Sequence, residues 1–257
     1  MQKKISVLGS GWLGLPLAEC LISRGYDVKG STRSSARFDL LQQKGVPAFL
    51  LDISQEKYDA DEFFNADILI VNIPYKGIEA FVTLTSAIQK ANIKHVIFIS
   101  ATSVYANKEG MVSENDALVP CALVDIENLF TTNQSFDTTI IRFSGLLGYG
   151  RDPALFFTGD RCIKNPASSV NMIHRDDCIK IIYSVIESNA WGEIYNACSD
   201  THPSRKLFYC AAAKTLAMPA PKFLEQTDNH DKVISNQKIK VDLNYRFLHP
   251  NLLGFKF

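Results

Sequence analysis

The strongest constraint on this chain is the run Gly9-Ser10-Gly11-Trp12-Leu13-Gly14, which follows the apolar stretch Ile5-Ser6-Val7-Leu8 and precedes a face made by Leu13, Leu17, Leu21 and Ile22. A glycine pattern of this spacing, entered from a strand and leaving into a helix, serves as a phosphate-binding turn. The first glycine permits the tight bend, the second lets backbone approach a diphosphate, and the third lets helix and strand pack closely. Amide hydrogens at the positive end of the helix then hold the anion. Three glycines serving tight packing alone is the competing reading, and the strand-turn-helix context weighs against it. Leu15-Pro16 follows Gly14 where a nucleoside-triphosphate loop needs Lys and Ser or Thr, and Pro16 falls in the first helical turn, where its missing N–H costs least.

The remaining pattern extends this unit into a sheet. Further strands are predicted from Tyr26 to Ser31, from Ala48 to Leu51, at Ile68 to Val71, Val96 to Ser100, Thr139 to Arg142 and Ile194 to Asn196. Ile68-Leu69-Ile70-Val71 is apolar on both faces, as a central parallel strand between helices must be. Helical spacing appears at Leu40 and Leu41, at Phe81, Leu84 and Ile88, and at Ile179, Ile182, Tyr183 and Ile186, the last behind a cap at Asp176 or Asp177. The predicted fold is α/β, a Rossmann-type doubly wound parallel sheet of about seven strands. Residues 1–145 and 175–197 are expected to form it, and 146–174 and 198–257 a smaller substrate-binding lobe.

Composition narrows the partners. The 257 residues carry 27 basic and 27 acidic side chains, so no global field draws the chain to nucleic acid or an anionic membrane. No apolar run approaches the roughly 20 residues of a membrane span, and Met1-Gln2-Lys3-Lys4 leads straight into the first strand. A cytoplasmic location and a monomer or homodimer are expected. The six cysteines form no CxxC pair and imply neither disulfide framework nor metal.

At the end of the second strand, where an NAD site places a carboxylate, the chain reads Ser31-Thr32-Arg33-Ser34-Ser35. A guanidinium flanked by hydroxyls suits a 2′-phosphate, which favours NADP over NAD, unless Arg33 is a solvated loop charge. Asp52 and Ile53 follow the third strand, where they would meet the adenine or form an ordinary strand-end turn. Trp12, Leu13, Thr32, Ser34, Ile73, Pro74 and Ser100 complete the predicted cofactor surface.

With these pieces, the chain resembles the extended short-chain dehydrogenase/reductase superfamily, the NAD(P)-dependent epimerase/dehydratase group. The resemblance rests on Gly9 to Gly14, Phe98-Ile99-Ser100-Ala101-Thr102-Ser103-Val104-Tyr105, Ile140-Ile141-Arg142 with Gly148-Tyr149-Gly150, Met172-Ile173-His174-Arg175-Asp176-Asp177, Tyr195-Asn196 and the segment from Lys232 to Ile239. It implies a catalytic tyrosine with a lysine four residues on, and a hydroxyl that orients substrate. None of the chain's tyrosines has that lysine, and the family's positions fall on Val124 and Asn128, with Ala101 at the hydroxyl position. A phenol with an ordinary pKa near ~10 is a poor base without a neighbouring cation.

Replacement candidates are Thr102 and Ser103 for the substrate oxygen, or as turn-capping hydroxyls, and Tyr105 for proton transfer, or as a packed side chain. His174 has the right pKa range for a general acid, though such a histidine more often simply satisfies backbone carbonyls; Asp125 and Glu127 read as an exposed helix face. Arg142 ends a buried strand and needs an acceptor. Cys198 and His202 are too few for a metal. The expected function is an NADP-dependent oxidoreductase acting on a small carbonyl or hydroxyl substrate, its proton supplied by water or a substrate group. The alternative is a non-catalytic NADP(H)-binding redox sensor; a nucleotide-sugar epimerase or dehydratase with the usual dyad does not fit these residues.

Overall fold

The computed structural model describes residues 2–55, 60–157, 161–224 and 231–254. The first half contains β1 (Lys4–Leu8), α1 (Gly14–Ser23), β2 (Asp27–Thr32), α2 (Ser35–Gln43), β3 (Ala48–Leu50), α3 (Asp61–Phe64), β4 (Ile68–Val71), α4 (Ile78–Lys90), β5 (His95–Ala101), β6 (Gly110–Val112) and α5 (Ala122–Thr131). The second contains β7 (Asp137–Phe143), β8 (Gly145–Leu147), β9 (Cys162–Lys164), β10 (Met172–His174), α6 (Arg175–Glu187), β11 (Ile194–Ala197), α7 (Arg205–Thr215), β12 (Lys222–Leu224), β13 (Lys232–Ile234) and α8 (Gln237–Asp242).

Seven strands make a parallel sheet in the order β11-β7-β5-β4-β1-β2-β3. β1 pairs with β2 on one side and β4 on the other, so the chain reverses its direction of travel across the sheet beside β1. Doubly wound sheets bind ligands at the carboxyl ends of strands flanking such a reversal. Every predicted sheet strand forms. The periodicity succeeds because β4 is buried at all four positions, leaving no polar residue to interrupt its apolar run.

The chain divides into two compact units, the first made of Met1–Ser100, Val119–Ile141 and Ile182–Ile194, the second of Ala101–Leu118, Arg142–Ile181 and Tyr195–Phe257. In the first, one core cluster joins Leu8, Ile53, Phe63, Phe81, Phe98, Ile126 and Phe130. Phe98 on β5 lies 4.9 Å from the Phe130 ring of α5 and 6.1 Å edge-on from Phe81 of α4, which ties two helices to one strand. In the second unit Leu147, Ile163, Val170, Phe208 and Leu252 form a separate core. Three two-stranded parallel pairs, β8 with β10, β9 with β12 and β6 with β13, lie outside the main sheet.

Two details of α6 depart from the sequence reading. Its buried face runs through Asp177, Cys178, Ile181, Ile182, Val185 and Ile186, while Ile179 and Tyr183 are half-buried, so the apolar stripe is turned toward the preceding residue. The helix begins at Arg175, which puts Asp176 and Asp177 in its first turn instead of at its cap. Asp177 is wholly buried and accepts hydrogen bonds from the Tyr245 hydroxyl (2.8 Å), the Leu248 amide (2.7 Å) and the His249 amide (3.0 Å). Three donors compensate the desolvation of that carboxylate. Burial and the adjacent carboxylate push the Tyr245 phenol far above its ordinary value.

Among the described residues no helix is long and apolar enough to cross a membrane. Phe98→Ala is expected to lower stability by about 3–5 kcal/mol, read from the urea midpoint, because both helix contacts lose their shared ring.

Candidate functional site

The glycine turn is built by backbone packed against backbone. Gly9 has φ +97°, and a Cβ there would lie 2.4 Å from the Asn72 carbonyl oxygen and 2.6 Å from Ile73 Cγ2. A Cβ on Gly14 would lie 2.3 Å from the Gly9 carbonyl oxygen. Gly11 is different: a Cβ there meets nothing within 4 Å. Sterics within the protein therefore explain the first and third glycines and leave the second to be explained by something the turn receives.

Neighbouring strands hold the turn. The Gly9 amide donates to Ser31 Oγ (3.1 Å), the Ser10 amide to the Ser31 carbonyl (2.7 Å), and Asn72 Nδ2 to the Gly9 carbonyl (3.0 Å). Ser31 belongs to β2, and Asn72 directly follows β4. The sequence reading passed over both; the signal for Asn72 was a lone amide at the end of a wholly apolar strand. No side chain caps α1, whose N-cap is Leu13, so its opening turn has the polarity an anion needs without a competing carboxylate. Trp12 is half-buried on this turn and Leu13 is buried beneath it. These residues fit a dinucleotide diphosphate.

At the end of β2, Thr32 Oγ1 accepts the Ser34 amide (3.2 Å), and Ser34 Oγ caps α2 by accepting the Arg37 amide (3.4 Å). Arg33 is exposed, with Nη1 3.9 Å from Asp52 Oδ2, so residues assigned to different parts of the nucleotide are neighbours. Asp52 Oδ1 accepts from the Ser54 amide (3.0 Å) and hydroxyl (2.7 Å), the arrangement of an aspartate turn. Hydrogen bonds from Ser54, aided by the Arg33 charge, lower the Asp52 pKa. Ile53 is buried in the core, Ile73 packs against it, and Pro74 is exposed.

Ser100 is buried at the end of β5 and donates its hydroxyl to Glu127 Oε1. Glu127 was expected on an exposed helix face but is 2% exposed. Its helix turns Asp125 and Asn128 outward and Glu127 inward, where the serine hydroxyl lowers the cost of burying a carboxylate.

The proton-transfer candidates belong to the second unit. Tyr105 is buried; its hydroxyl accepts from Arg142 Nη1 (2.7 Å) and donates to Asn196 Oδ1 (2.7 Å). This hydroxyl supplies an acceptor that Arg142 needed. Burial raises the Tyr105 pKa, with Arg142 opposing it. Thr102 is buried and donates to Ser144 Oγ across a long 3.4 Å, whereas Ser103 is exposed. His174 is buried, and desolvation together with neighbouring His249 lowers its pKa, which favours the neutral ring at pH 7. Cys198 is buried and its thiol is pushed up to about 12, so it is unreactive as a nucleophile.

A family model described as NAD(P)H-binding matches residues 9–188. Protein YeeZ of Escherichia coli (strain K12) is 30% identical over 270 residues, with 98% of each chain covered. A functionally unknown conserved protein from Silicibacter pomeroyi DSS has a TM-score of 0.82 at 21% identity, covering 98% of this chain and 96% of that one. UDP-glucuronic acid 4-epimerase from Bacillus cereus, in complex with NAD, has a TM-score of 0.78 at 20% identity, covering 97% and 95%. The doubly wound fold is borne out, and these solved structures share it with the chain.

Two glycine substitutions separate packing from ligand binding. Gly14→Ala is expected to lower the Tm and abolish dinucleotide binding together, since its methyl group meets backbone. Gly11→Ala should leave the Tm nearly unchanged while weakening NADPH or NADH binding by about tenfold or more in a fluorescence titration. Tyr105→Phe should cost roughly 1–3 kcal/mol in urea unfolding, because Arg142 and Asn196 lose a buried partner.

Proposed function

We propose, from the premise that this chain belongs to the NAD(P)H-binding family, that it is an NADP(H)-dependent oxidoreductase acting on a small carbonyl or hydroxyl substrate. The observation that carries this reading is Gly11: its neighbours demand no glycine, yet it stands between two glycines that packing does demand. A diphosphate passing close to the backbone supplies the missing reason. The turn amides of Gly11, Trp12 and Leu13 bind that diphosphate, reinforced by the dipole of α1.

The preference for NADP rests on Arg33. Its ion pair with Asp52 is long and exposed, worth at most about 1 kcal/mol, so a phosphate dianion displaces the carboxylate readily. Thr32 and Ser34 flank it with hydroxyls, and no carboxylate ends β2 to receive a bare ribose. Asp52, with Oδ1 held by Ser54, keeps a second oxygen to accept from the adenine amino group.

Hydride chemistry is supplied by the nicotinamide when bound, and the protein's part is to position and polarise. Thr102 and Ser103 orient the substrate oxygen, and water delivers the proton. Tyr105 acts by holding Arg142 and Asn196, since its hydroxyl is engaged by both. That engagement also favours the second reading, an NADP(H)-responsive sensor without turnover.

Titration with NADPH and NADH tests the proposal. NADPH is expected to bind about tenfold tighter, and Arg33→Ala to erase the difference. Binding of neither nucleotide overturns the reading, and tighter NADH binding overturns the role of Arg33. With a carbonyl panel, NADPH oxidation supports the oxidoreductase, and Thr102→Ala should then lower kcat; tight binding without oxidation supports the sensor.

A further inference from the structure

Among the described residues, His174, Asp176 and His249 form a group whose donor atoms all lie within 4.8 Å of one another. His174 ends β10, Asp176 lies in the first turn of α6, and His249 arrives from 73 residues beyond Asp176. We infer that these three side chains form a binding site for a first-row divalent cation, with Zn2+ the ion that their two imidazoles and one carboxylate suit best.

Spacing carries the inference first. Asp176 Oδ2 lies 3.4 Å from His174 Nδ1 and 3.3 Å from His249 Nε2. Charge-assisted hydrogen bonds close to about 2.7–2.9 Å, so both separations are slack for that interaction. They equal the edge of a tetrahedron, about 3.3–3.4 Å, when metal–ligand bonds are about 2.0–2.1 Å. Nitrogen and oxygen donors of this mixture suit zinc, cobalt or nickel and are wrong for calcium or magnesium, which take all-oxygen sets.

The groups around the three ligands hold them in place. Asp177 accepts the His249 and Leu248 amides, which fixes the backbone that carries the distant histidine. Tyr149 donates its hydroxyl to Asp176 Oδ2 at 3.1 Å, orienting the carboxylate. The His174 ring is confined on its other edge, where a Cβ on Gly148 would lie 2.3 Å from Nε2. The Asp176 amide donates to His174 Nδ1 across a long 3.3 Å, which marks this nitrogen as the unprotonated one; a cation taking its lone pair replaces that weak bond. Such supporting contacts are characteristic of metal sites. Asp176 and Asp177 outweigh the Arg175 guanidinium, which is stacked at 3.8 Å over Tyr149. Asp176 and His249 remain about one-third exposed, leaving a position for water as fourth ligand.

The site is independent of the nucleotide reading and uses none of its residues. The experiment takes the full chain without a histidine tag, strips it with EDTA, and titrates Zn2+ by calorimetry at pH 7.5. One ion per chain is expected, with a Tm rise of roughly 5 °C at saturation. Co2+ in place of zinc should give the intense visible bands of a four-coordinate site. His249→Ala and Asp176→Asn should each weaken zinc binding by about tenfold or more, and Cys162→Ser, at an exposed thiol, should leave it unchanged. Absence of stoichiometric zinc binding to the wild-type chain overturns the proposal. So does binding that survives both ligand substitutions or is lost in Cys162→Ser. The wild-type cobalt spectrum decides the matter even if a variant fails to fold.

Discussion

The closeness of three backbone segments, at Gly9, Gly14 and Asn72, is the constraint from which the dinucleotide-binding half of the protein follows. The Gly9 carbonyl oxygen sits where a Cβ on Gly14 would be, and the Asn72 carbonyl sits where one on Gly9 would be. This lets α1 start almost in contact with β1 and β4, so the positive end of the helix projects over the reversal point of the sheet. Asn72 then returns a side-chain hydrogen bond to the same Gly9 carbonyl that the crowding exposes. Sheet order, helix placement and anion affinity are thus consequences of one packing solution.

Burial determines what the polar groups elsewhere can do. Glu127, Arg142, Asp177 and Asn196 are all buried, and each has a dedicated partner: a serine hydroxyl, a phenol, two amides with another phenol, and Tyr105 again. Such groups are costly to bury alone and specific once paired. They show how Tyr105 is occupied with holding its surroundings together. A hydroxyl engaged on both sides is a positioning group before it is a proton donor.

Much of this was legible in the chain itself. Wherever two-sided burial produced an uninterrupted apolar run, as at Ile68 to Val71, the strand announced itself, and Gly9 to Gly14 announced the turn. The short pairs β6 with β13, β8 with β10 and β9 with β12 did not, because strands of three residues are too brief for alternation to register and their partners lie far away in sequence. Glu127 was misread for a related reason, and the burial of Asp177, read only as a possible helix cap, was equally invisible. Periodicity assigns a carboxylate to the wet face of a helix, and only tertiary structure brings the Ser100 hydroxyl or the Leu248 amide that makes the dry face tolerable. His249 meets Asp176 through the same long-range closure, which no local pattern encodes.

That closure has a consequence for synthesis. The glycine turn, β1, β2 and β4 are all present once the first 72 residues have emerged, but Asp177 waits another 72 positions for the His249 amide. Until then α6 keeps a carboxylate hydrated on the very face that later becomes dry, so that face cannot pack. On the ribosome, the glycine turn and its neighbouring strands therefore have a head start, while the surroundings of Asp177 ripen only once His249 is delivered.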